Sequence, residues 1–91
     1  MSPPDYFKIE YSINPWMNPE NIVHPKHAKR EWGSLRDTYR HLGLDILTID
    51  PVKGLPDLVF TTDHGVWIGE VFYLSNFRYR ERQKEQDVAI P

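Results

Sequence analysis

The chain has 91 residues, a formal net charge of −2 and no cysteine. Such a chain forms at most one small domain, offers no strongly basic surface to nucleic acid or to an anionic membrane, and holds no disulfide and no cysteine nucleophile. No apolar run reaches the roughly 20 residues that cross a bilayer, and the first residues lack the pattern of a signal peptide, so we expect a cytoplasmic protein without membrane contact.

The first predicted element is a strand at residues 6–13, after a loose start at residues 1–5. Apolar side chains at Phe7, Ile9, Tyr11 and Ile13 alternate with polar ones, which is typical of a half-buried strand. The stretch NPWMNPEN follows at residues 14–21. Its two Asn-Pro pairs favour turns and extended backbone, so we expect a long loop there.

A helix is predicted next, from Pro25 to just before Gly43. Proline suits a first helical turn, where its missing N–H is not needed, and glycine after the last turn favours a C-terminal stop. The apolar residues recur at spacings of 4, 3, 4 and 3; they are Ala28, Trp32, Leu35, Tyr39 and Leu42. This spacing forms one stripe, which we expect to pack on one face of a sheet.

Three further strands are predicted after the helix, followed by a tail. The apolar runs at residues 44–50, 58–62 and 66–73 fit strands, and residues 78–91 form a possible helix or tail. The order of one strand, one helix and three strands predicts an α/β or α+β fold with a mixed sheet.

Metal and nucleic-acid binding are weakly supported by the charged residues. The four histidines, His24, His27, His41 and His64, lack the spacing of a structural zinc site. We expect them at the solvated surface, and we predict no metal, no other cofactor and no nucleic-acid partner. In the basic stretch RYRERQKE, two glutamates alternate with four basic residues and offset half of their charge, which is typical of a solvated helix face.

The stretch TTDHG at residues 61–65 has two interpretations. Asp, His and Gly between two apolar runs are common in a hairpin turn. Alternatively, Asp63 is a carboxylate at the end of a buried strand, where it could accept a bidentate hydrogen bond from a planar guanidinium. The residues themselves favour the turn.

Four stretches together resemble a known family. They are YxINPWM at residues 11–17, EWxxLRxxYxxLGLDILTIDP at 31–51, GLPDLVFTTDHG at 54–65 and FRYRERQKE at 77–85. The chain is similar to the N-terminal part of the guanidino-group modifying enzymes, which are the dimethylarginine dimethylaminohydrolases, arginine deiminases and amidinotransferases. The most specific elements are PDLVFTTD and the Glu-Arg pair with a glutamate three residues after the arginine. The resemblance implies one module, plus the start of a second, of a pentein α/β-propeller, so that residues 1–91 form a single partial domain.

The resemblance also implies roles for three residues of this sequence. Asp63 matches the carboxylate that hydrogen-bonds the substrate guanidinium, and Phe60 matches the aromatic residue beside it. Arg82 matches a basic residue that binds the carboxylate of free arginine derivatives, which implies an arginine-like small-molecule substrate. No residue of the chain matches a catalytic one, because the catalytic histidine and the nucleophilic cysteine of the family lie beyond residue 91.

Two interpretations of function follow. The first is the N-terminal substrate-binding segment of a guanidino-group hydrolase or amidinotransferase that acts on arginine or a methylated arginine derivative. The isolated chain is then catalytically incomplete, so whether it is an enzyme by itself stays open. Thr62 stands where arginine deiminases usually carry arginine, which favours the dimethylarginine-hydrolase-like or a divergent branch. The alternative is a non-catalytic module of the same fold that self-associates or binds a partner, such as the remaining part of the enzyme chain.

Overall fold

The computed structural model describes residues 1–89, so the end of the predicted tail at 78–91 lies outside the described residues. In chain order the elements are helix α1 (Pro25–His41), two 3₁₀ turns (Pro56–Val59 and Thr61–His64), strands β1 (Gly65–Ile68) and β2 (Val71–Leu74), and short helices α2 (Arg80–Gln83) and α3 (Glu85–Val88). In this part of the chain, no helix is long and apolar enough to cross a membrane.

Helix α1 begins and ends where the sequence predicts. Pro25 occupies the first turn, and the chain leaves the helix through Gly43 at a φ of 82°. The Gly43 N–H donates to the carbonyl of Arg40, and the Leu44 N–H donates to that of Tyr39. These two bonds form a Schellman motif, in which glycine adopts the left-handed conformation without steric cost. Local residues therefore determine both ends of the helix.

The predicted fourth strand at residues 66–73 is wrong as a single strand, because it is a hairpin. Strands β1 and β2 pair antiparallel, with Trp67 opposite Phe72 and Ile68 opposite Val71. The two-residue turn between them begins with Gly69 at a φ of 61°. A left-handed glycine at the first central position is the requirement of a type II′ hairpin turn, so the Gly-Glu pair reverses the chain there.

The predicted combination of helices and strands is confirmed, but the other predicted strands form no ladder, so the mixed sheet is reduced to one two-stranded hairpin in the described residues. The stretch 58–62 belongs to the two 3₁₀ turns, and residues 6–13 and 44–50 form no strand. The predicted alternation is nonetheless confirmed over residues 7–13, where the apolar positions are partly buried and the polar ones are exposed. A strand needs a ladder of backbone bonds to a neighbouring strand as well as a pattern, and these segments form no such ladder.

The start of the chain is more firmly held than the expected loose start. Ser2 and Pro4 are buried. The Met1 ammonium donates to the carbonyl of Leu47 at 2.8 Å, and the Ile49 N–H donates to the carbonyl of Met1 at 2.8 Å. The predicted strand at 44–50 is thus tied to the N-terminus by two bonds and not to a sheet.

The interior of the molecule is unusually polar. The buried apolar side chains among the described residues are Leu55, Leu58, Ala89 and the prolines Pro4 and Pro56, whereas the buried polar ones are Ser2, Asp57, His64, Arg82 and Glu85. Helix α1 has no fully buried residue, and its stripe borders a groove formed with residues 1–7 and 59–62. The expected packing of the helix on a sheet is therefore wrong. The buried residues Asp57, His64, Arg82 and Glu85 form a polar cluster.

Candidate functional site

An open cavity of about 380 Å³ lies beside the buried polar residues. Most of its wall is apolar or aromatic, and three charged side chains reach it. Its lining residues are Phe7, Ile9, Ile13, Asn14, Trp16, Met17, Asp57, Phe60, Asp63 and Arg82. Apolar walls with a few convergent polar groups are the usual composition of a small-molecule site.

The apolar wall comes from the alternating segment and the loop after it. Residues 7–13 direct one face toward the cavity, and the loop presents Trp16, which is 85% exposed. The Asn14 side chain accepts hydrogen bonds from the backbone N–H groups of Trp16 (3.0 Å) and Met17 (3.1 Å), and Ser12 Oγ donates to the Met17 carbonyl at 3.0 Å. An asparagine that bonds the backbone two residues on forms an Asx turn, which gives the expected loop a defined shape.

Asp57 is a second carboxylate of the cavity, and no role is predicted for it from the sequence. It lies in the first 3₁₀ turn, is 5% exposed, and accepts a hydrogen bond from Tyr11 Oη at 2.6 Å. Burial raises the pKa of Asp57, while the hydrogen bond from Tyr11 and the nearby Arg82 act in the opposite direction. Burial and the bond to Asp57 also raise the pKa of Tyr11, so Tyr11 remains a hydrogen-bond donor. The available signal was a single acid within the apolar run LPDLVF.

Asp63 and Phe60 lie on the second 3₁₀ turn and its approach. The Asp63 N–H donates to the Phe60 carbonyl at 3.0 Å, and the Phe60 ring meets Phe7 edge to face with centroids 5.5 Å apart. Ser75 ties the turn to the end of β2, since its N–H donates to the His64 carbonyl at 2.8 Å and its Oγ donates to the Asp63 carbonyl. TTDH is thus a helical turn, and the hairpin-turn interpretation of TTDHG is wrong. The substrate-binding roles of Phe60 and Asp63 stay predictions.

Arg82 forms hydrogen bonds with both 3₁₀ turns. Its Nη1 donates to Asp63 Oδ2 at 2.9 Å, and its Nη2 donates to the Asp57 carbonyl at 3.2 Å. Its guanidinium carbon lies 4.4 Å from the centroid of the Phe77 ring. Burial alone would lower the pKa of Arg82, but bonds to Glu85 and Asp63 outweigh it and raise that pKa. Asp63 and Arg82 are in direct contact, so in this arrangement they are not separated by the length of an arginine. Carboxylate binding by Arg82 stays a prediction.

His64 and Glu85 complete the polar cluster behind the cavity. Glu85 Oε1 lies 3.1 Å from His64 Nε2, and the two side chains are 0% and 4% exposed, respectively. The expectation that the histidines are surface residues is therefore wrong for His64. The other three, His24, His27 and His41, are exposed. Over residues 1–89, no group of three or more His, Asp or Glu side chains is arranged to hold a metal.

Comparison with known proteins identifies several relatives of the chain. No protein-family model matches the chain. An uncharacterized protein of Caenorhabditis elegans is 41% identical over 90 residues, which are 99% of this chain and 32% of that protein. The N(G),N(G)-dimethylarginine dimethylaminohydrolase of Mycobacterium tuberculosis is 38% identical over 85 residues, which are 93% of this chain and 28% of that protein. The crystal structure of the substrate-bound N-terminal domain of ArgZ, a cyanobacterial arginine dihydrolase, matches with a TM-score of 0.88 and 37% identity over 98% of this chain and 33% of that chain.

The chain is therefore homologous to the N-terminal part of the guanidino-group modifying enzymes of the pentein class, which confirms the resemblance drawn from its motifs. The particular relatives are dimethylarginine dimethylaminohydrolase and the arginine dihydrolases ArgZ and AgrE. The chain spans about a third of the length of the first two curated relatives that it matches.

Proposed function

We propose that the chain forms the guanidinium-binding part of an enzyme that modifies the guanidino group of arginine or a methylated arginine derivative. Its similarity to part of dimethylarginine dimethylaminohydrolase and of the arginine dihydrolases supports this reaction class. In this proposal the chain is one module of a pentein propeller that acts in the cytoplasm. The isolated chain does not turn substrate over, because the cysteine nucleophile of the family is not among its 91 residues.

One observation carries the proposal: two carboxylates, Asp57 and Asp63, line the same largely apolar cavity. A guanidinium is planar and carries five N–H donors, so it pairs well with carboxylate oxygens. Burial of the ligand's alkyl stem against apolar walls, such as the rings of Phe60 and Trp16, is favourable. Asp63 is suited to contact a ligand directly, because its side chain remains 46% exposed although Arg82 binds one of its oxygens.

Arg82 is the candidate partner for a carboxylate at the other end of the ligand, a role that requires its 2.9 Å contact with Asp63 to open so that the two side chains stand an arginine's length apart. It lines the cavity, and its charge would attract such a group. Arginine should therefore bind more tightly than agmatine, which has the same guanidino group and lacks the carboxylate. Equal affinities would remove Arg82 from the substrate-binding set while leaving the guanidinium site intact.

Titration calorimetry on the 91-residue chain tests the guanidinium site, with arginine, methylated arginines and agmatine as ligands. Asp63→Asn should lower the affinity for all of them by about ten- to a hundred-fold, because a hydrogen bond to a charged group contributes about 1.5–3 kcal/mol. The matched control is Asp45→Asn, which removes the same charge from an exposed position outside the cavity. Unchanged binding in Asp63→Asn would refute the assignment, as would equal losses in both variants.

A second candidate function, a self-associating or partner-binding module, is favoured by the hairpin. Strands β1 and β2 expose Val66, Trp67, Ile68, Val71 and Tyr73. Exposed apolar patches with open strand edges mark interaction surfaces or aggregation sites. We propose that this surface associates with a second copy, or with the rest of a longer chain when one is present.

Sedimentation of the pure chain tests the second candidate. The wild type should associate as its concentration rises, and Trp67→Lys should shift the equilibrium toward monomer. Trp16→Lys is the control, because Trp16 is also exposed but lies outside the hairpin. A wild-type chain that stays monomeric at high concentration would remove this candidate.

A further inference from the structure

Glu85 is the glutamate of the Glu-Arg…Glu motif, and neither the resemblance nor the cavity gives it a role. Its side chain is 0% exposed and does not line the cavity. Buried carboxylates are rare unless they are paired and hydrogen-bonded, so the partners of Glu85 indicate what it does.

Glu85 binds Arg82 through both of its oxygens. Arg82 Nε donates to Oε2 at 2.9 Å, and Arg82 Nη2 donates to Oε1 at 2.8 Å. His64 Nε2 lies 3.1 Å from Oε1 and, as a donor, gives this oxygen a second hydrogen bond. Two parallel bonds between a guanidinium and one carboxylate fix the plane of the guanidinium as well as its position.

We propose that Glu85, held by His64, is a positioning residue that orients Arg82 and, through Arg82, the carboxylate of Asp63 in the cavity. Because Glu85 occupies Nε and one N–H of Nη2, Nη1 is left to meet Asp63 at 2.9 Å. The second contact of Nη2, with the Asp57 carbonyl at 3.2 Å, ties the first 3₁₀ turn to the same plane. One buried glutamate thereby sets the relative positions of both acidic turns.

Charge balance alone does not explain Glu85. Asp63 already pairs with the single positive charge of Arg82, so a second carboxylate is not needed to neutralise it. Glu85 adds direction, since an arginine paired only with a half-exposed aspartate could rotate about its side-chain bonds. The Phe77 ring restrains one face of the guanidinium but does not determine where its edges point.

The experiment uses two variants of the whole chain and one control. Glu85→Gln keeps the size of the side chain and removes its charge, whereas Glu85→Asp keeps the charge and shortens the reach by one methylene. The control is Glu81→Gln, an exposed glutamate on α2. The inference rests on the proposed function for its ligand readout, which is arginine affinity by calorimetry. The second readout needs no ligand: it is the solvent exchange of the Arg82 Nε–H measured by ¹⁵N NMR.

We expect slow exchange of the Arg82 Nε–H in the wild type and in Glu81→Gln, and fast exchange in both Glu85 variants. Arginine affinity should fall about tenfold or more in both Glu85 variants, which corresponds to about 1.4 kcal/mol, and should stay unchanged in Glu81→Gln. The loss in Glu85→Asp separates positioning from charge balance, because a role in neutralisation alone would tolerate the shorter acid.

Each unfavourable outcome has a distinct meaning. Fast Nε–H exchange in the wild type would overturn the inference at once, as would a folded Glu85 variant with wild-type exchange and affinity. If the wild type binds no arginine, the proposed function fails, and the exchange rates decide the inference by themselves. If Glu85→Gln does not fold, Glu85→Asp decides it.

Discussion

The polar cluster behind the cavity and the β-hairpin differ in opposite ways from the usual distribution of side chains, in which charged residues are exposed and apolar ones are buried. In the cluster, Asp57, His64, Arg82 and Glu85 are buried, although such residues are mostly exposed in folded proteins. In the hairpin, large apolar side chains are exposed, including Trp67 at 65%. The two regions are adjacent in the chain, since His64 belongs to the cluster and Gly65 begins β1.

The difference is that one region contains its own partners and the other does not. Every charged member of the cluster contacts another polar group within the chain. The hairpin contacts mainly itself, as in the pair Trp67 and Phe72, whose ring centroids lie 5.1 Å apart. The cluster is thus held together by bonds within this chain, whereas the hairpin leaves its apolar surface exposed.

The largest expected effect comes from breaking the cluster. Arg82→Met should lower the free energy of unfolding by about 3–5 kcal/mol, because it leaves Glu85 as a buried carboxylate without its cation. The double variant Arg82→Met/Glu85→Leu should recover most of that loss, since the unpaired charge is then gone. Urea denaturation followed by circular dichroism measures both. A single variant as stable as the wild type would contradict the account of the cluster as a self-contained network.

An intermediate effect is expected at Gly65, where the two regions join. A Cβ at this position would overlap the Phe72 ring and the Tyr73 carbonyl. Gly65→Ala should therefore cost about 1–3 kcal/mol through backbone shifts. Gly33→Ala is the matched control: its Cβ would lie 3.8 Å from Arg36 Nη2, and alanine inside a helix should add about 0.5–1 kcal/mol. Thermal unfolding measures both variants: the Tm should fall in Gly65→Ala and rise in Gly33→Ala. A Tm that changes in the same direction in both would contradict this expectation.

The smallest effect is expected from the ionisation of Asp57. Its pKa is raised above 3.8 in the folded chain, so the folded state holds the proton more tightly than the unfolded state. Stability therefore falls as pH rises from about 3.8 through the raised pKa. The asparagine of Asp57→Asn cannot ionise and can still accept the bond from Tyr11. This variant should therefore lack the loss of stability that ionisation of Asp57 causes, and should be slightly more stable than the wild type at neutral pH. Identical pH profiles of unfolding in Asp57→Asn and the wild type would contradict the assignment.

The sequence predicted the features that depend on neighbouring residues. Pro25 and Gly43 determine the ends of α1 through the first turn and the Schellman motif. The apolar face of residues 6–13 follows from alternation, and it forms part of the cavity wall. The hairpin does not follow from the apolar run alone, because Gly69 and Glu70 interrupt it at a point where a glycine followed by a polar residue also predicts a chain reversal.

Features that depend on distant residues were not predictable in the same way. His64 is buried because Glu85 lies against it 21 positions later, and no pattern near His64 indicates that contact. Asp57 lies beside Tyr11, which is 46 positions away, so its place in the cavity requires the fold. Asp63, Phe60 and Arg82 were identified by motif, and the fold brings all three to the same cavity. Their substrate-binding roles remain to be measured.

The most direct test uses the tryptophan side chains of the two regions as reporters. Trp16 lines the cavity and Trp67 lies on the hairpin, and each indole N–H gives a separate ¹H–¹⁵N NMR signal. Titration of the wild-type chain with arginine, at a concentration where it is monomeric, should shift the Trp16 signal in a saturable way and leave that of Trp67 in place. A shift confined to Trp67, or no saturable shift at all, would contradict the claim that the cavity lined by Asp57 and Asp63 is the guanidinium site.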